Sequence, residues 1–568
     1  MGSLIQVPFH GRAVRGWVLG TTDDIPRQML PVRKVVSPVR FFDPQMLELL
    51  RWVSERYVAP LASVIARSYP PRVASEEAVH QGGRGVAPLA GPSPTPLRDA
   101  TPAMLPAYEN GAELLATLGA GAGTFVLRPA PEDEVGVAVE CVGAALAAGR
   151  AAIVLVPDAD PLPATAAAIR DAFGDAVAMF LGGSQRSRFR TWLEIKAGRY
   201  GVVIGTRPAV FAPVPGLGLM YVSRESHGQH REERSPYYHV RDVALARTRL
   251  GGAVCVMSAL LPSLETRVVE RVEVSPAARR WPPVEVVRPG PEGRAPRLVA
   301  ALRSARRGFL YEPLPGYGVA RVCRACHEPA ACAVCGGLLR SEEGVVRCAV
   351  CGALGRCANC GATDLGIARG GAERVEEWAR NATSVPVTRI GRADRPRPPA
   401  DAEVLVGGVE AVKDFGPVGL DLVGILDADL ASRRPGLSAR ERALATWFEA
   451  AAWAAPDGRV IVQTKHPSDP AVQALVTANP ERFARTELPR LAEAGFPVGS
   501  PVFRVAGTAE LEEELSALEP LTLLATGLGD EAICLVVLGP AKVAAFSRAM
   551  RSLAERGVVT RVEAEPHL

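Results

Sequence analysis

Eight cysteines between positions 323 and 360 constrain the fold of this chain more than any other sequence feature. They form four Cys-x2-Cys pairs, separated by spacers of five, twelve and five residues. Two thiolates spaced in this way can reach one metal ion, and four thiolates complete the closed tetrahedral site of a structural zinc. The pattern therefore predicts a small module that holds two structural zinc ions, neither of them with an open position for catalysis.

Two pairings of the cysteines are compatible with this spacing. The twelve-residue spacer fits a hairpin between the two inner pairs, so the inner cysteines are predicted to share one ion and the outer cysteines the other. The inner set is Cys332, Cys335, Cys348 and Cys351, and the outer set is Cys323, Cys326, Cys357 and Cys360. The alternative is a sequential pairing of the first pair with the second.

Length and composition predict a folded cytoplasmic protein. The 568 residues, 48% of them hydrophobic, suffice for about four domains with real cores. No apolar run reaches the roughly 18 residues of a membrane span, and the first residues do not resemble a signal peptide. The net charge of +4 is too small to indicate nucleic-acid binding by itself.

The positive charge is concentrated at the start of the chain. Residues 1–72 carry ten Lys and Arg against five Asp and Glu, which predicts a surface that contacts DNA phosphates. Arg12 and Arg15 lie among aromatic residues, as in grooves that bind single strands, and both are candidate DNA contacts. Strand alternation would place Arg12 and Trp17 on opposite faces, so at least one of them is structural. The alternative is a solvated basic face.

Two series of short apolar runs alternate with helical segments, which is typical of parallel sheets covered on both faces. The first series spans residues 124–259 and the second spans 308–464. The cysteine cluster interrupts the second series after its first run, as an insertion would. Residues 497–566 look like a separate α+β domain, and the Gly- and Pro-rich stretch 73–105 reads as a linker.

Several segments, in their order and spacing, resemble the PriA helicase family, the replication-restart primosomal protein N′. They are IQVPFHGRAVRGWVLG (5–20), YGVVIGTRPAVFAPVPGLGLMYV (200–222), GYGVARVCRAC (316–326), LVGILDADL (422–430) and RVIVQTKHP (459–467). The resemblance implies a multidomain α/β fold with two degenerate RecA-like, P-loop-type lobes and an inserted zinc-ribbon module. It also implies an N-terminal, mostly β DNA-binding module and a C-terminal α+β domain.

The implied domain boundaries follow from the same resemblance. They are an incomplete 3′ DNA-binding module at 1–72, a linker at 73–105, lobe 1 at 106–280, the start of lobe 2 at 281–318, the two-zinc module at 319–364, the rest of lobe 2 at 365–480, and the C-terminal domain at 481–568. The segment 227–239 corresponds to the family's aromatic-rich loop, which couples DNA contact to the motor. Arg231 and Tyr237 in this loop are therefore further candidate DNA contacts.

Three motor motifs of the family are absent. A P-loop needs Gly-x4-Gly-Lys-[Ser/Thr] to cradle phosphates and Mg²⁺, but this chain reads RPAPEDEVG (128–136), with carboxylates at the phosphate position. The acidic Asp-Glu-Glu-His motif becomes SRESH (223–227), and the arginine-finger segment becomes AAAWAAPDGR (450–459). These departures predict no catalytic residue, no ATP cofactor, and loss of ATPase and helicase activity, so that the chain is not an enzyme.

The resemblance and its departures together predict a replication-restart function without unwinding. The chain is expected to bind forked DNA at abandoned or stalled replication forks and to promote primosome assembly and reloading of the replicative helicase. Its expected partners are DNA and the primosome and helicase-loading proteins, and its expected location is the nucleoid in the cytoplasm. The alternatives are an active ATP-dependent 3′–5′ helicase and a zinc-bearing protein-interaction scaffold.

Overall fold

The computed structural model describes most of the chain as a mixed α/β multidomain protein. The residues outside this description are 24–29, 82–102, 279, 291–292, 314–320, 335–338, 343–344, 349–351, 368–371, 430–435, 528–530 and 567–568. Within the described residues, no helix is both long and apolar enough to cross a lipid bilayer.

The N-terminal module begins with a three-stranded antiparallel sheet of order β2-β1-β3, followed by three helices. These elements are β1 (Ser3–Phe9), β2 (Arg12–Trp17), β3 (Lys34–Arg40), α1 (Pro44–Arg56), α2 (Leu61–Arg67) and α3 (Ala74–Gln81). Helix α1 begins where the Asp43 carboxylate accepts a hydrogen bond of 2.7 Å from the Met46 N–H, an N-cap that satisfies one of the free donors. Its apolar stripe, which includes Leu50 and Val53, is buried.

Helix α3 lies inside the stretch that the sequence predicted to be a linker. Glu76 forms ion pairs with Arg186 and Arg190, and Glu77 pairs with Arg72 at 2.6 Å. Two of these partners lie more than 100 residues away in sequence, so local composition could not reveal that the helix is held in place. Residues 74–81 of the stretch predicted to be a linker thus form a helix with ion pairs to the first lobe, and residues 82–102 of that stretch lie outside the described residues.

The first lobe is built on an eight-stranded sheet of order β4-β11-β5-β10-β9-β6-β8-β7. Its strands are β4 (Tyr108–Glu109), β5 (Gly123–Leu127), β6 (Ala151–Leu155), β7 (Val177–Phe180), β8 (Val202–Gly205), β9 (Leu217–Ser223), β10 (Val254–Ser258) and β11 (Val272–Pro276). Its helices are α4 (Gly111–Ala120), α5 (Glu134–Ala147), α6 (Ala164–Phe173), α7 (Gln185–Lys196) and α8 (Val240–Gly251). The six apolar runs of the first series are six adjacent parallel strands of this sheet.

Both faces of this sheet are covered, which explains why the runs are continuously apolar rather than alternating. Along β6, Ala152 and Val154 join one core with α4, α5 and α6, whereas Ile153 and Leu155 join another with α7 and α8. Cys255 is buried in one of these cores, and its burial raises the pKa of the thiol.

The second lobe is built on a six-stranded, all-parallel sheet of order β12-β22-β21-β13-β20-β19. Its strands are β12 (Val284–Val287), β13 (Arg307–Tyr311), β19 (Val387–Ile390), β20 (Glu403–Gly407), β21 (Leu420–Ile425) and β22 (Ala454–Gln463). Its helices are α9 (Pro296–Ser304), α10 (Ala372–Ala382), α11 (Ala439–Ala451), α12 (Pro470–Thr477) and α13 (Pro480–Glu493).

The cysteine module, residues 321–367, enters between β13 and β19 of the second lobe. Its short strands are β14 (Arg321–Cys323), β15 (Pro329–Ala330), β16 (Leu339–Glu342), β17 (Val345–Cys348) and β18 (Leu365–Ile367). β14 lies between β15 and β18, and β16 and β17 form a hairpin. The insertion lies where the interrupted second series of apolar runs placed it.

A four-stranded antiparallel sheet of order β24-β25-β23-β26 ends the chain. Its elements are β23 (Val502–Gly507), α14 (Leu511–Ser516), β24 (Thr522–Gly527), β25 (Ala532–Val537), α15 (Val543–Glu555) and β26 (Val559–Ala564). One face packs on α15, with Phe503 and Phe546 in ring contact at 4.7 Å between centroids.

Candidate functional site

Four cysteine sulfurs converge in the cysteine module. The Sγ atoms of Cys323 and Cys360 are 3.5 Å apart, those of Cys326 and Cys357 are 3.6 Å apart, and all four lie within 4.8 Å of one another. A tetrahedral zinc with Zn–S bonds of about 2.3 Å places its sulfurs about 3.8 Å apart. The size and the chemistry of this donor set suit a structural zinc ion.

Two tight turns of the same geometry present these sulfurs. The His327 N–H donates to the Cys323 carbonyl at 2.9 Å, and the Gly361 N–H donates to the Cys357 carbonyl at 2.8 Å. Both donors have a left-handed backbone, with φ of 58° at His327 and 75° at Gly361. The turns fold each Cys-x2-Cys pair so that its two thiols face one point, which explains the spacing of two residues.

The structure joins the first cysteine pair to the fourth, which is the arrangement expected for a hairpin and not the sequential one. A backbone hydrogen bond from Glu328 lowers the pKa of the Cys326 thiol to about 6, which favours the thiolate that binds zinc. Of the inner set, Cys332 and Cys348 are buried in the module, while Cys335 and Cys351 lie outside the described residues.

The position of the inner Cys348 follows the same pattern as the outer cysteines. The Gly352 N–H donates to the Cys348 carbonyl at 3.0 Å, and Gly352 has a φ of 72°. The Cys348 N–H donates to the Ala353 carbonyl, just as the Cys357 N–H donates to the Ala362 carbonyl. The backbone hydrogen bonds of Cys348 thus repeat those of Cys357 in the outer set.

Arg12 and Arg15 are both exposed on β2. Arg12 is paired in register with Phe9, and Arg15 with Gln6, so the two arginines point to opposite faces of the sheet. Trp17 donates from Nε1 to the Tyr69 hydroxyl at 3.1 Å, which makes it a structural residue. Among the described residues, both arginines are exposed, whereas the indole N–H of Trp17 is engaged within the protein.

The loop 227–239 lies against the C-terminal sheet. Arg231 donates to the Ala564 carbonyl at 3.4 Å, and burial lowers the pKa of its guanidinium. Tyr237 hydrogen-bonds to Arg561, whose pKa is raised by this contact. The two candidate DNA contacts of this loop thus contact the C-terminal domain in the structure.

Each acidic residue at the position of the P-loop has a cationic partner. After β5 the chain makes a 3₁₀ turn over Pro131–Asp133, where Arg280 pairs with Glu132 at 2.7 Å and with Asp133 at 2.5 Å. The Tyr108 hydroxyl also donates to Asp133 at 2.9 Å. Glu134 is buried at the start of α5 and forms two hydrogen bonds with Arg224, at 2.9 and 3.0 Å.

Arg224 is the centre of a buried charge cluster between the lobes. It follows β9 directly and has a left-handed φ of 50°, a strained conformation for an arginine. Besides Glu134, its guanidinium lies 3.4 Å from Glu449 and 3.9 Å from Asp414, both in the second lobe. Burial raises the pKa of Glu134 and of Glu449, even though Arg224 opposes this shift.

The comparisons with known proteins agree with this architecture. Residues 1–70 match the family model of the PriA 3′ DNA-binding domain. A probable replication restart protein PriA of Mycobacterium leprae is 30% identical over 564 residues, covering 90% of this chain and 84% of the relative. The chain belongs to the PriA family of replication restart proteins.

Other PriA proteins and some solved structures are also similar. The PriA protein of Treponema pallidum is 26% identical and covers 88% of this chain and 81% of its own length. That of Bacillus subtilis is 26% identical over 65% of this chain and 51% of the relative. The crystal structure of the E. coli DExH-box NTPase HrpB is similar at 13% identity and a TM-score of 0.34, covering 63% of this chain and 41% of that one.

Membership of the PriA family contradicts the prediction that the chain is not an enzyme. The relatives are replication restart proteins named PriA, and the loss of motor motifs does not show that activity is lost. The structure also weakens a physical premise of that prediction, because the carboxylates at the P-loop position are not a free negative surface. Arg280 pairs with both Glu132 and Asp133, and Arg224 pairs with Glu134, so each of the three carboxylates has a cation beside it.

Sequence reasoning missed these cationic partners. The signal was present, since an acidic residue follows β5 and an arginine follows β9, at the two positions where the P-loop and the acidic motif were expected. Treating the two departures as a complementary pair would have predicted the contact between Glu134 and Arg224. Asp414 and Glu449 gave no such signal, because they lie in no motif.

Proposed function

We propose that this chain binds forked DNA at interrupted replication forks through residues 1–70 and there promotes primosome assembly and reloading of the replicative helicase. The match of residues 1–70 to the PriA 3′ DNA-binding domain is the observation that carries the proposal. The exposed cations Arg12 and Arg15 on β2 support a surface that contacts phosphates. DNA and the helicase-loading proteins of the primosome are its proposed partners.

A binding assay with forked DNA tests the first part. Fluorescence anisotropy with a labelled fork that carries a free 3′ end should show binding that weakens as salt rises. The double variant Arg12→Ala, Arg15→Ala should bind the fork less tightly and with a shallower salt dependence. The double variant Arg303→Ala, Arg306→Ala removes two exposed arginines of the second lobe and should bind like the wild type.

The proposal fails if the wild-type chain shows no preference for forked over linear duplex DNA. It also fails if the two double variants bind equally well. Loading of a purified replicative helicase onto single strands coated by their binding protein would then test the second part, with helicase-dependent unwinding as the readout.

We further propose that the cysteine module holds two zinc ions, the second bound by Cys332, Cys335, Cys348 and Cys351. The hydrogen bonds of Cys348 with Gly352 and Ala353, which repeat those of Cys357 with Gly361 and Ala362, support this assignment. Metal analysis of the purified chain should give about two zinc ions. Cys348→Ser should lower the content to one, whereas Cys255→Ser, a change at a core thiol, should leave it at two.

ATP-dependent unwinding is a second candidate function, favoured by membership of a helicase family. A sensitive phosphate-release assay with and without forked DNA tests it. Turnover that rises with DNA would support this candidate, and turnover no higher than that of buffer would reject it.

A further inference from the structure

The two lobes meet across a cluster of charged side chains that is almost sealed from solvent. Arg224 and Glu134 belong to the first lobe and are 3% and 4% exposed, while Asp414 and Glu449 belong to the second lobe and are 6% and 7% exposed. Because the side chains come from opposite lobes, this low exposure exists only while the lobes are in contact. Any relative movement of the lobes must bring water to these charges.

Asp414 also completes a helix of the opposite lobe. Helix α6 follows Pro163, which offers no side-chain cap, so the first N–H groups of the helix need other acceptors. The Asp414 carbonyl accepts from the Ala164 N–H at 2.9 Å, and its carboxylate accepts from the Thr165 hydroxyl at 2.9 Å and from the Thr165 N–H at 3.4 Å. The second lobe therefore supplies the N-terminal cap of α6.

The residues next to Asp414 strengthen the same contact. Lys413 Nζ lies 2.5 Å from the Asp158 carboxylate of the first lobe. Gly416 has a φ of 73°, and a Cβ at this position would lie 3.2 Å from the Cβ of Ala164. The segment 413–416 is thus fitted closely against the start of α6.

The charges are arranged so that Arg224 keeps an ion-pair partner when this contact opens. If the lobes separate, Arg224 keeps its two hydrogen bonds with Glu134 in the first lobe, and Asp414 and Glu449 become hydrated. A buried arginine that lost all its partners would be strongly unfavourable, and that state is avoided. Apolar contacts elsewhere hold the lobes together, since Leu260 and Leu264 of the first lobe belong to a core of the second.

We propose that the Arg224 cluster and the Asp414 cap act as a clamp that holds the two lobes in one relative orientation in the free protein. The clamp must open before the lobes can move apart. This inference concerns movement within the chain and does not depend on the proposed binding of forked DNA.

Distance measurements between the lobes test the clamp. Spin labels introduced as non-natural amino acids at the exposed positions Glu113 and Glu377 report one residue of each lobe without using thiols. The wild type should give one narrow distance distribution. The double variant Asp414→Asn, Glu449→Gln removes the two charges that the second lobe contributes to the Arg224 cluster, and it should add a second, longer population.

A matched control removes an interlobe pair that lies outside the clamp. Arg395 and Asp160 form an ion pair at 2.9 Å between the lobes, but their side chains are 75% and 74% exposed. Arg395→Ala should leave the distribution narrow. A broad distribution in the wild type, or an unchanged one in the clamp variant, would overturn the proposal.

Hydrogen exchange of the wild-type protein gives a second measurement that needs no variant. The clamp predicts slow exchange of the Ala164 and Thr165 amides, at a rate that follows opening of the lobes. Exchange as fast as at a frayed helix end would overturn the proposal even if the clamp variant fails to fold.

Discussion

The cysteine module and the Arg224 cluster are both small polar centres, but they hold segments of chain together in opposite ways. In the module, four sulfurs surround a point suited to a metal, and apart from cysteines its described buried cluster contains only Ala330, Leu339 and Leu365. In the Arg224 cluster the chain itself supplies both signs of charge, and large apolar cores lie on either side. The module offers ligands for an ion that the protein would have to acquire, whereas the cluster is complete within the chain.

Removal of zinc should give the largest difference between the cysteine module and the lobes around the Arg224 cluster. Structural zinc contributes on the order of 10 kcal/mol to folding of small zinc domains, and the module has little other core to replace it. Chelation, or the change Cys323→Ser, should therefore unfold residues 321–367 and leave the lobes folded. Limited proteolysis with mass spectrometry should show cleavage confined to the module. Cleavage across the lobes would contradict the expectation that only the module needs zinc to fold.

Arg224→Met should give the next largest effect, in the opposite region. It leaves Glu134, Asp414 and Glu449 buried without their cation, and removal of one partner from a buried ion pair costs about 3–5 kcal/mol. Urea unfolding of the lobes should show this loss, with zinc content unchanged. Arg380→Ala, which cuts a pair on an exposed helix face, is the control and should cost no more than about 1 kcal/mol.

The pH dependence should also distinguish the two regions. Burial, together with the neighbouring charge of Glu265, raises the pKa of Glu441 to about 8, and Glu441 accepts a hydrogen bond of 2.7 Å from the Leu264 N–H across the lobe junction. A carboxyl group whose pKa is raised on folding binds more protons in the folded state, so its contribution to stability falls as pH rises from about 4.5 to 8.

The free energy of unfolding of the lobes should therefore fall as pH rises over this range. Glu441→Gln should make that fall smaller, because an amide does not titrate. Thiolate binding to zinc favours higher pH, so the cysteine module should lose metal at the acidic end of the same range. Equal slopes in the wild type and the Glu441→Gln variant would contradict the assignment.

The smallest effect is expected for the exposed pair of Arg395 and Asp160. Exposed ion pairs contribute about 0–1 kcal/mol and are screened by salt. Arg395→Ala should change the urea midpoint of the lobes slightly at low ionic strength and not at all at 1 M salt. If Arg395→Ala lowered the free energy of unfolding as much as Arg224→Met, burial would not be what distinguishes the exposed pair from the Arg224 cluster.

The sequence predicted those features that depend on local pattern. Continuous apolar runs predicted the parallel strands of both lobes, because strands of a sheet covered on both faces do not alternate between apolar and polar residues. The Cys-x2-Cys spacing gave the turn that brings two sulfurs to one point, and the twelve-residue spacer gave the hairpin of β16 and β17.

Features that depend on partners distant in the chain were not predicted. Helix α3 was missed because Glu76 meets arginines more than 100 residues away, and the paired state of Glu132 was missed because Arg280 lies 148 positions later. Asp414 illustrates the limit best, since nothing near it in sequence indicates that it caps a helix of another lobe.

The cap that Asp414 provides to α6 has a consequence for fragments of the protein. A fragment that ends before residue 414 would express the first lobe with an α6 whose opening turn has no acceptor from its own polypeptide. The turn would fray, and the amides of Ala164 and Thr165 would exchange freely even in an otherwise intact fragment. Mixing this fragment with a separately produced second lobe should restore the turn, which would make these two amides a sensitive reporter of complementation in trans.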